Sequence, residues 1–331
     1  MACKRLHTFD TISNRGSQQM QDTKKLQSHT LGWIGTGRMG FAMAQRLLEA
    51  GCDVSAYNRT RAKAEPLAGK GGKIVDTPAD LADRDIVFTM VSSANDLYSV
   101  VCGANGVLSG TATPRLLVDC SSVSEEGSQR VRDALQARGC EMLSAPVSGN
   151  AKVIKAGRLT IVASGPEAAF RMAEPYLNVI GEGVTYVGAG ELARMVKICH
   201  NVLLGVVTQS LAEITVLAEK GGVPRHALLD FINHSVMGSM FTRYKSPAFV
   251  NLDWTPTFTA PLLRKDMDLG LSAGERLGVP MPVAAATREL VQQAIDAGET
   301  ECDFGIMLEL QAEASGLKLV PENVAVSDGL S

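Results

Sequence analysis

Gly35-Thr36-Gly37-Arg38-Met39-Gly40 stands between a short apolar run, Leu31–Ile34, and a stretch with helical apolar spacing, Phe41–Ala50. Glycines in G-x-G-x-x-G spacing at a strand-to-helix junction have a mechanical use. The first allows a tight turn, the second lets backbone approach a pyrophosphate, and the third lets helix and strand pack closely, with the helix N-terminus facing the phosphates. The expected chemistry is dinucleotide binding, with Gly35, Thr36, Gly37, Arg38, Met39 and Gly40 at the cofactor. At the end of the second predicted strand, where NAD-binding chains usually carry Asp or Glu for the adenine ribose, this chain reads Asn58-Arg59-Thr60, then Arg61. A carboxylate there would repel a 2′-phosphate, whereas the Arg59 guanidinium can pair with it and stack near the adenine. The cofactor expected is therefore NADP(H), with NAD(H) as second choice. Val91 and Ser92, closing another predicted strand, are further expected cofactor contacts. Lys197 and Asn201 lie four apart on a helical stretch and so share one face. Spacing alone suits a solvated helix charge as well as a proton donor.

The elements that must position these residues follow from apolar periodicity. Leu31–Ile34, Val54–Tyr57, Ile86–Val91 and Leu116–Asp119 read as strands, and Phe41–Ala50, Arg61–Ala68 and Glu125–Arg138 as intervening helices. Met142–Val147 and Leu159–Ala163 continue the series, and such alternation predicts a parallel, doubly wound sheet. From Leu192 to Lys220 helical spacing persists far beyond an ordinary helix and stops at Gly221-Gly222, which suits a helix bridging two domains. Arg225–Asn233, Leu262–Leu277, Val283–Ala297 and Phe304–Ala314 then read as helices, separated by turns containing Pro224, Pro247, Pro256, Pro280 and Pro282. The fold class expected is α/β: an N-terminal Rossmann-type doubly wound domain (31–190), then an all-α domain (191–320) joined by the long helix. An extension (1–30) and a tail (321–331) flank them.

A length of 331 residues suits two domains, and 32 Lys+Arg against 35 Asp+Glu leave a net charge of −3, with no basic field for nucleic acid. The apolar run Val202–Ala218 is interrupted by Gln209, Ser210, Glu213 and Thr215, short of the roughly 20 apolar residues that cross a bilayer. It reads as a buried helix, so neither nucleic acid nor membrane is the expected partner, and a small molecule is. The 7 cysteines are scattered without a C-x-x-C pair, which argues against a zinc site, against any other metal centre built on them, and against a disulfide framework. Residues 1–30 are polar and basic, without the apolar segment of a secretory signal; they read as a disordered extension, with a transit peptide as the alternative. A cytoplasmic location follows, or the mitochondrial matrix if the transit reading holds. Leu203, Val207, Leu211 and Ile214 give the long helix an apolar face suited to a homodimer or homotetramer.

Five segments together resemble the β-hydroxyacid dehydrogenases, the family of 3-hydroxyisobutyrate dehydrogenase. Leu31 to Gly40 is similar to the family's opening, Asp119-Cys120-Ser121-Ser122 to its D-x-S-[ST] element, and Ala145-Pro146-Val147-Ser148-Gly149 to its A-P-V-S-G turn. Gly188-Ala189-Gly190 with Lys197-Ile198-Cys199-His200-Asn201 is similar to its catalytic helix, and Phe258 with Lys265-Asp266-Met267 to its F…KD[LM] segment. The match runs over roughly residues 31 to 315. The resemblance implies hydride transfer between NADP(H) and a small carboxylate-bearing aldehyde or 3-hydroxy acid, with Lys197 as general acid and base and Asn201 holding the substrate oxygen. Partial burial would lower the Lys197 pKa. It implies that Ser148, with the N–H groups of the Gly149-Asn150 turn, receives the substrate carboxylate. Asn150 lines the pocket or faces solvent, and Ser122 assists near the nicotinamide or caps the helix at Glu125. Phe258 and Asp266 lie on the substrate side and Lys265 toward the nicotinamide, while His200 is a packed or pocket-adjacent histidine.

Two departures bear on substrate identity. Asn150 replaces a glycine common in relatives, and Val153-Ile154 replaces a later G-A, so a bulkier pocket wall is expected. Tyr244-Lys245-Ser246-Pro247 looks like the K-G-P of the glyoxylate/succinic semialdehyde reductase branch. Arg243 and Lys245 are charges whose direction the sequence leaves open. The alternatives are an imine reductase-type enzyme and a non-catalytic nucleotide-binding scaffold; both usually lack the lysine, so Lys197 counts against them.

Overall fold

The computed structural model describes residues 26–330, so most of the stretch read as an extension or transit peptide, and Ser331, lie outside the described residues. The chain divides into two units after Met195, inside the long helix.

In the first unit, β1 (Leu31–Ile34), β2 (Val54–Tyr57), β3 (Lys73–Ile74), β4 (Ile86–Thr89), β5 (Leu116–Asp119) and β6 (Glu141–Ser144) form a parallel sheet in the order β3-β2-β1-β4-β5-β6. The central strands are apolar runs buried at every residue, as a sheet covered on both faces requires. Trp33 stacks on Phe88 across β1 and β4, with ring centroids 5.5 Å apart. Strand order reverses between these two strands, and ligands of such sheets bind outside the carboxyl ends at that point. The helices are α1 (Arg38–Glu49), α2 (Ala94–Cys102), α3 (Glu125–Gln136), α4 (Ala151–Lys155) and α5 (Glu167–Ile180).

Three features differ from the expectations. Residues 61–70 form two 3-10 turns, Arg61–Lys63 and Glu65–Lys70, instead of one α-helix, because Pro66 restarts the chain at the head of the second. The run Met142–Val147 is not one strand. Pro146 has no N–H to donate to a ladder, so β6 stops at Ser144, and β7 (Val147–Ser148) pairs antiparallel with β8 (Thr160–Ala163) in a separate sheet completed by β9 (Gly183–Tyr186). Leu26–Thr30, read as part of the extension, pack on this unit: Leu26 lies against its core, and Thr30 donates twice to Asp85 at 2.9 and 3.0 Å.

The helix α6 (Leu192–Lys220) runs into the second unit, which contains α7 (Arg225–His234), α8 (Met240–Asn251), α9 (Ala260–Leu277), α10 (Pro282–Asp296) and α11 (Met307–Ala314). Val202, Leu263, Met267, Val291, Phe304 and Met307 make its main core. Pro247 and Pro282 sit inside helices and not in turns. Pro282 opens α10, where a missing N–H costs nothing, and Pro247 is carried by a helix already started by a Ser239–Thr242 capping box. An 18-residue window of α6 is apolar enough for a membrane span, and half of it is buried in the fold. Of the apolar face named above, Leu211 enters the core, whereas Leu203 is 61% and Ile214 43% exposed. The C-terminal stretch is no loose tail: Leu317, Leu319, Val324 and Val326 pack beside α7 and α8, and the Glu322 carboxylate accepts the backbone N–H groups of Arg225 (2.7 Å) and His226 (3.0 Å).

Candidate active site

The glycine turn is built for two different reasons. Gly35 has φ +96, and a Cβ there would collide with the Met90 carbonyl; a Cβ on Gly40 would collide with the Gly35 carbonyl. The fold itself demands those two glycines. Gly37 has an ordinary φ of −67 and nothing within 4 Å of where its Cβ would stand. Neither backbone nor packing requires it, and the open space suits an approaching pyrophosphate. Gly37 caps α1 without a side-chain bond, and no acidic residue occupies the first turn, where Arg38 and Met39 stand, so its N–H groups suit an anion. Asn58 ties the turn to the end of β2, accepting from Thr36 N–H and donating to the Thr60 carbonyl, both at 2.9 Å. The Thr36 hydroxyl is buried without a hydrogen-bond partner among the described residues, an orphan such as a bound group would satisfy. These residues fit a dinucleotide. Arg59 is exposed, with Nη1 3.4 Å from an Asp96 oxygen. Arg61 is instead committed to Glu65 at 2.7 Å and to Asp76.

At the ends of β4 and β5 a buried network fixes the chain. Asp119 accepts from the hydroxyls of Thr89 (2.6 Å) and Ser121 (2.7 Å) and from Arg194 (2.6 Å). Arg194 also donates to the Ser121 carbonyl at 2.8 Å, and Ser121 Oγ accepts the Val91 N–H at 2.9 Å. The Val91-Ser92 and Ser121-Ser122 turns are thereby locked together. Ser122 is half-buried on that turn, and Ser124, not Ser122, caps α3 through Gly127 N–H. Glu191 joins Arg194 (3.0 Å) to Arg132, which donates to the Met142 carbonyl at 2.5 Å. Burial pushes the Glu191 carboxyl up, but the two guanidinium groups outweigh it and hold the pKa below its usual value. Sequence reasoning passed over Arg194, Glu191 and Arg132; an arginine in the first turn of an apolar helix was the available signal. Replacing Arg194 with Met should destabilise the unit by about 3–5 kcal/mol, because Asp119 then loses the guanidinium partner of a buried ion pair. Chemical denaturation measures this, and a loss under ~1 kcal/mol, the scale of an exposed pair, would contradict it.

Ser148 ends β7, half-buried. Gly149 needs its glycine twice over, with φ +137 and a Cβ position 2.8 Å from Val153 Cγ1. Asn150 does not face solvent: it is buried and caps α4, its Oδ1 accepting from Lys152 N–H (2.9 Å) and Val153 N–H (3.1 Å). The expectation that Val153 and Ile154 thicken a pocket wall is corrected. Both are fully buried in the unit, and Ile154 belongs to its core.

In the helical unit, Lys197 Nζ donates to Asn201 Oδ1 at 2.8 Å, and Asn201 Nδ2 donates to Asp266 Oδ2 at 2.5 Å. Lys265 Nζ lies 3.2 Å from the other Asp266 oxygen. A carboxylate only accepts, so Asp266 turns the amide NH2 toward itself and the amide oxygen toward Lys197. Asp266, expected on the substrate side, engages Asn201 with one oxygen and Lys265 with the other. His200 Nδ1 lies 2.9 Å from the same amide oxygen and so carries its proton there. Burial pushes Lys197 down to about 8, Asp266 opposing and Lys265 adding to the shift. Desolvation of the ring, then the Lys197 charge, lower the His200 pKa, with the Asn201 contact opposing them.

Phe258 stands edge-on to Phe304, centroids 5.8 Å apart, in the core of the same unit. Lys245, whose direction was open, points inward: it is buried, pairs with Asp303 at 2.5 Å and lies 4.2 Å from the Phe304 ring centroid. Arg243 donates to the Asn233 carbonyl at 3.0 Å.

Comparison with known proteins covers both units. Residues 30–188 match the family described as the NAD binding domain of 6-phosphogluconate dehydrogenase, and residues 188–311 match that described as NAD-binding of NADP-dependent 3-hydroxyisobutyrate dehydrogenase. The chain is 32% identical to glyoxylate/succinic semialdehyde reductase 1 of Arabidopsis thaliana, over 84% of this chain and 97% of that one. It is 30% identical to the chloroplastic glyoxylate/succinic semialdehyde reductase 2 of the same plant, over 86% and 80%. Among solved structures, 3-hydroxyisobutyrate dehydrogenase from Salmonella typhimurium is similar with a TM-score of 0.77 and 27% identity, over 85% of this chain and 99% of that one.

Proposed function

The chain belongs to the NAD(P)-dependent β-hydroxyacid dehydrogenase family, and from that premise we propose that it reduces a small carboxylate-bearing aldehyde with NADPH, or oxidises the matching hydroxy acid with NADP. The cofactor, when bound, supplies or accepts the hydride. Lys197 gives a proton to the carbonyl oxygen during reduction and takes one from the hydroxyl during oxidation. Asn201 keeps the ammonium aimed, and Asp266, backed by Lys265, keeps Asn201 from flipping. Ser148 and the N–H groups of the Gly149-Asn150 turn take the substrate carboxylate, with Ser122 assisting and Phe258 supporting the helical side. The NADP preference rests on Arg59 beside Asn58, a position without a carboxylate. The observation that carries the reading is the Lys197–Asn201–Asp266 chain, holding an amine whose pKa lies near 8.

Glyoxylate and succinic semialdehyde lead the substrate class, because relatives at 30–32% identity are named for them. NADPH oxidation with glyoxylate, succinic semialdehyde, methylmalonate semialdehyde, tartronate semialdehyde and a cyclic imine tests the choice. Turnover of the imine alone would overturn it. A second copy of the chain, as homodimer or homotetramer, is the partner proposed, and the cytoplasm the compartment.

A lysine titrating at about 8 also predicts opposite pH profiles. Reduction needs the ammonium form, so kcat/KM for aldehyde should hold below pH 8 and fall above it. Oxidation needs the free amine, so kcat/KM for the hydroxy acid should rise through the same range. Parallel profiles in the two directions would remove Lys197 as the shared acid and base.

A further inference from the structure

We infer that Asp96 sets how strongly this chain discriminates NADP(H) from NAD(H), by competing with the cofactor's 2′-phosphate for Arg59. The inference rests on the reading of Arg59 as the 2′-phosphate partner and adds to it a residue on a different element. Asp96 lies in the first turn of α2, and one of its oxygens is 3.4 Å from Arg59 Nη1. The two partners differ in freedom. Ser93 Oγ donates to the second Asp96 oxygen at 2.7 Å, and the Asp96 N–H donates back to Ser93 Oγ at 3.1 Å. The carboxylate also sits at the positive end of the helix dipole, which favours a negative charge there. Asp96 is therefore held, whereas the Arg59 side chain is 87% exposed and can swing.

The other charged or amide side chains at the end of β2 are already engaged. Arg61 is taken by Glu65 and Asp76, and Asn58 by Thr36 and Thr60. For its positive charge an arriving 2′-phosphate thus draws on Arg59, and must share that guanidinium with a fixed carboxylate. Two like-charged groups then crowd one cation, a cost that NAD(H), which has a hydroxyl at the same place, does not meet. Selectivity becomes the difference between a phosphate–arginine contact and the aspartate–arginine contact it displaces. The sequence pattern around Asn58-Arg59-Thr60 says nothing of this, because Asp96 is 37 residues away.

Calorimetric titration of the full chain with NADP+ and NAD+ tests the inference through binding alone. Asp96→Asn keeps the size of the side chain while removing its charge. For an exposed pair the expected change is a Kd for NADP+ tighter by about three- to fivefold, with the Kd for NAD+ held within about twofold. The gain should shrink in high salt, since exposed charges are screened. Arg59→Ala, run alongside, should weaken NADP+ by more than it weakens NAD+. Weaker NADP+ binding in Asp96→Asn would mean that Asp96 aims Arg59, and an unchanged NADP+/NAD+ ratio would mean that it does nothing; either overturns the inference. Should Arg59→Ala bind NADP+ normally, the reading of Arg59 falls and the inference falls with it. An Arg59-sensitive, Asp96-insensitive protein sinks the inference alone.

Discussion

Replacing Lys197 with Met is expected to lower aldehyde turnover by about 10²- to 10⁴-fold, the usual worth of a positioned proton donor. The Kd for NADP(H) should stay where it was. Met has nearly the length of Lys but no N–H, so the change removes the donor without opening a large hole. Asn201 Oδ1 would keep its contact with His200, and Asp266 would still hold the amide group. Lys197→Arg makes the complementary variant: it keeps the positive charge, but a guanidinium cannot be deprotonated near neutral pH, so oxidation of the hydroxy acid should suffer as badly. Melting temperature, cofactor titration and steady-state rates on the same preparations separate loss of chemistry from loss of fold. Full activity in either variant would end the case for Lys197 as acid and base.

The second large effect separates two glycines six letters of motif would treat alike. Gly37→Ala adds a methyl group where the protein leaves open space, at a φ any residue adopts. The fold should be unaffected, while NADP(H) binding weakens on the order of 100-fold, as close backbone approach to the pyrophosphate is blocked. Gly40→Ala drives a methyl group against the Gly35 carbonyl, so helix and turn must part. It should lose cofactor binding and also about 1–3 kcal/mol of stability, the ordinary cost of forcing extra volume into close packing. Denaturation midpoints beside cofactor titrations decide the matter. Equal destabilisation by the two changes would show that Gly37, too, is a demand of the fold.

Local pattern proved a good guide where one element's own residues decide its state. The ends of β1, β2 and β5 fall where their apolar runs end, and β4 stops two residues short of Val91, which is drawn off by Ser121. Three helices of the first unit escaped notice, the short α4 (Ala151–Lys155) because it is little more than one turn. In α2 only Leu97 and Val101 are buried, too sparse a stripe to read, and α5 carries Pro175 in its interior. The glycine turn was legible because strand, turn and helix are contiguous, but its tie to β2 through Asn58, 22 residues from Thr36, was not. Lys197 and Asn201 were legible as neighbours because helical spacing puts them on one face. What holds them was not: Asp266 is 65 residues from Asn201, and Asp119 is 75 from Arg194. No periodicity spans such distances. Val153-Ile154 shows the opposite error, in which a change of residue type near a site was taken for a change in the site.

The docking of Glu322 on α7 has a consequence for anyone handling this protein. Pro224 precedes that helix and offers no side-chain acceptor, so the first N–H groups of α7 are satisfied by a carboxylate from the far end of the chain. Loss of the segment that carries Glu322, by a protease nick just beyond Val320, would disturb a helix start almost a hundred positions upstream. Mass spectrometry that accounts for Glu322 belongs among the first quality checks.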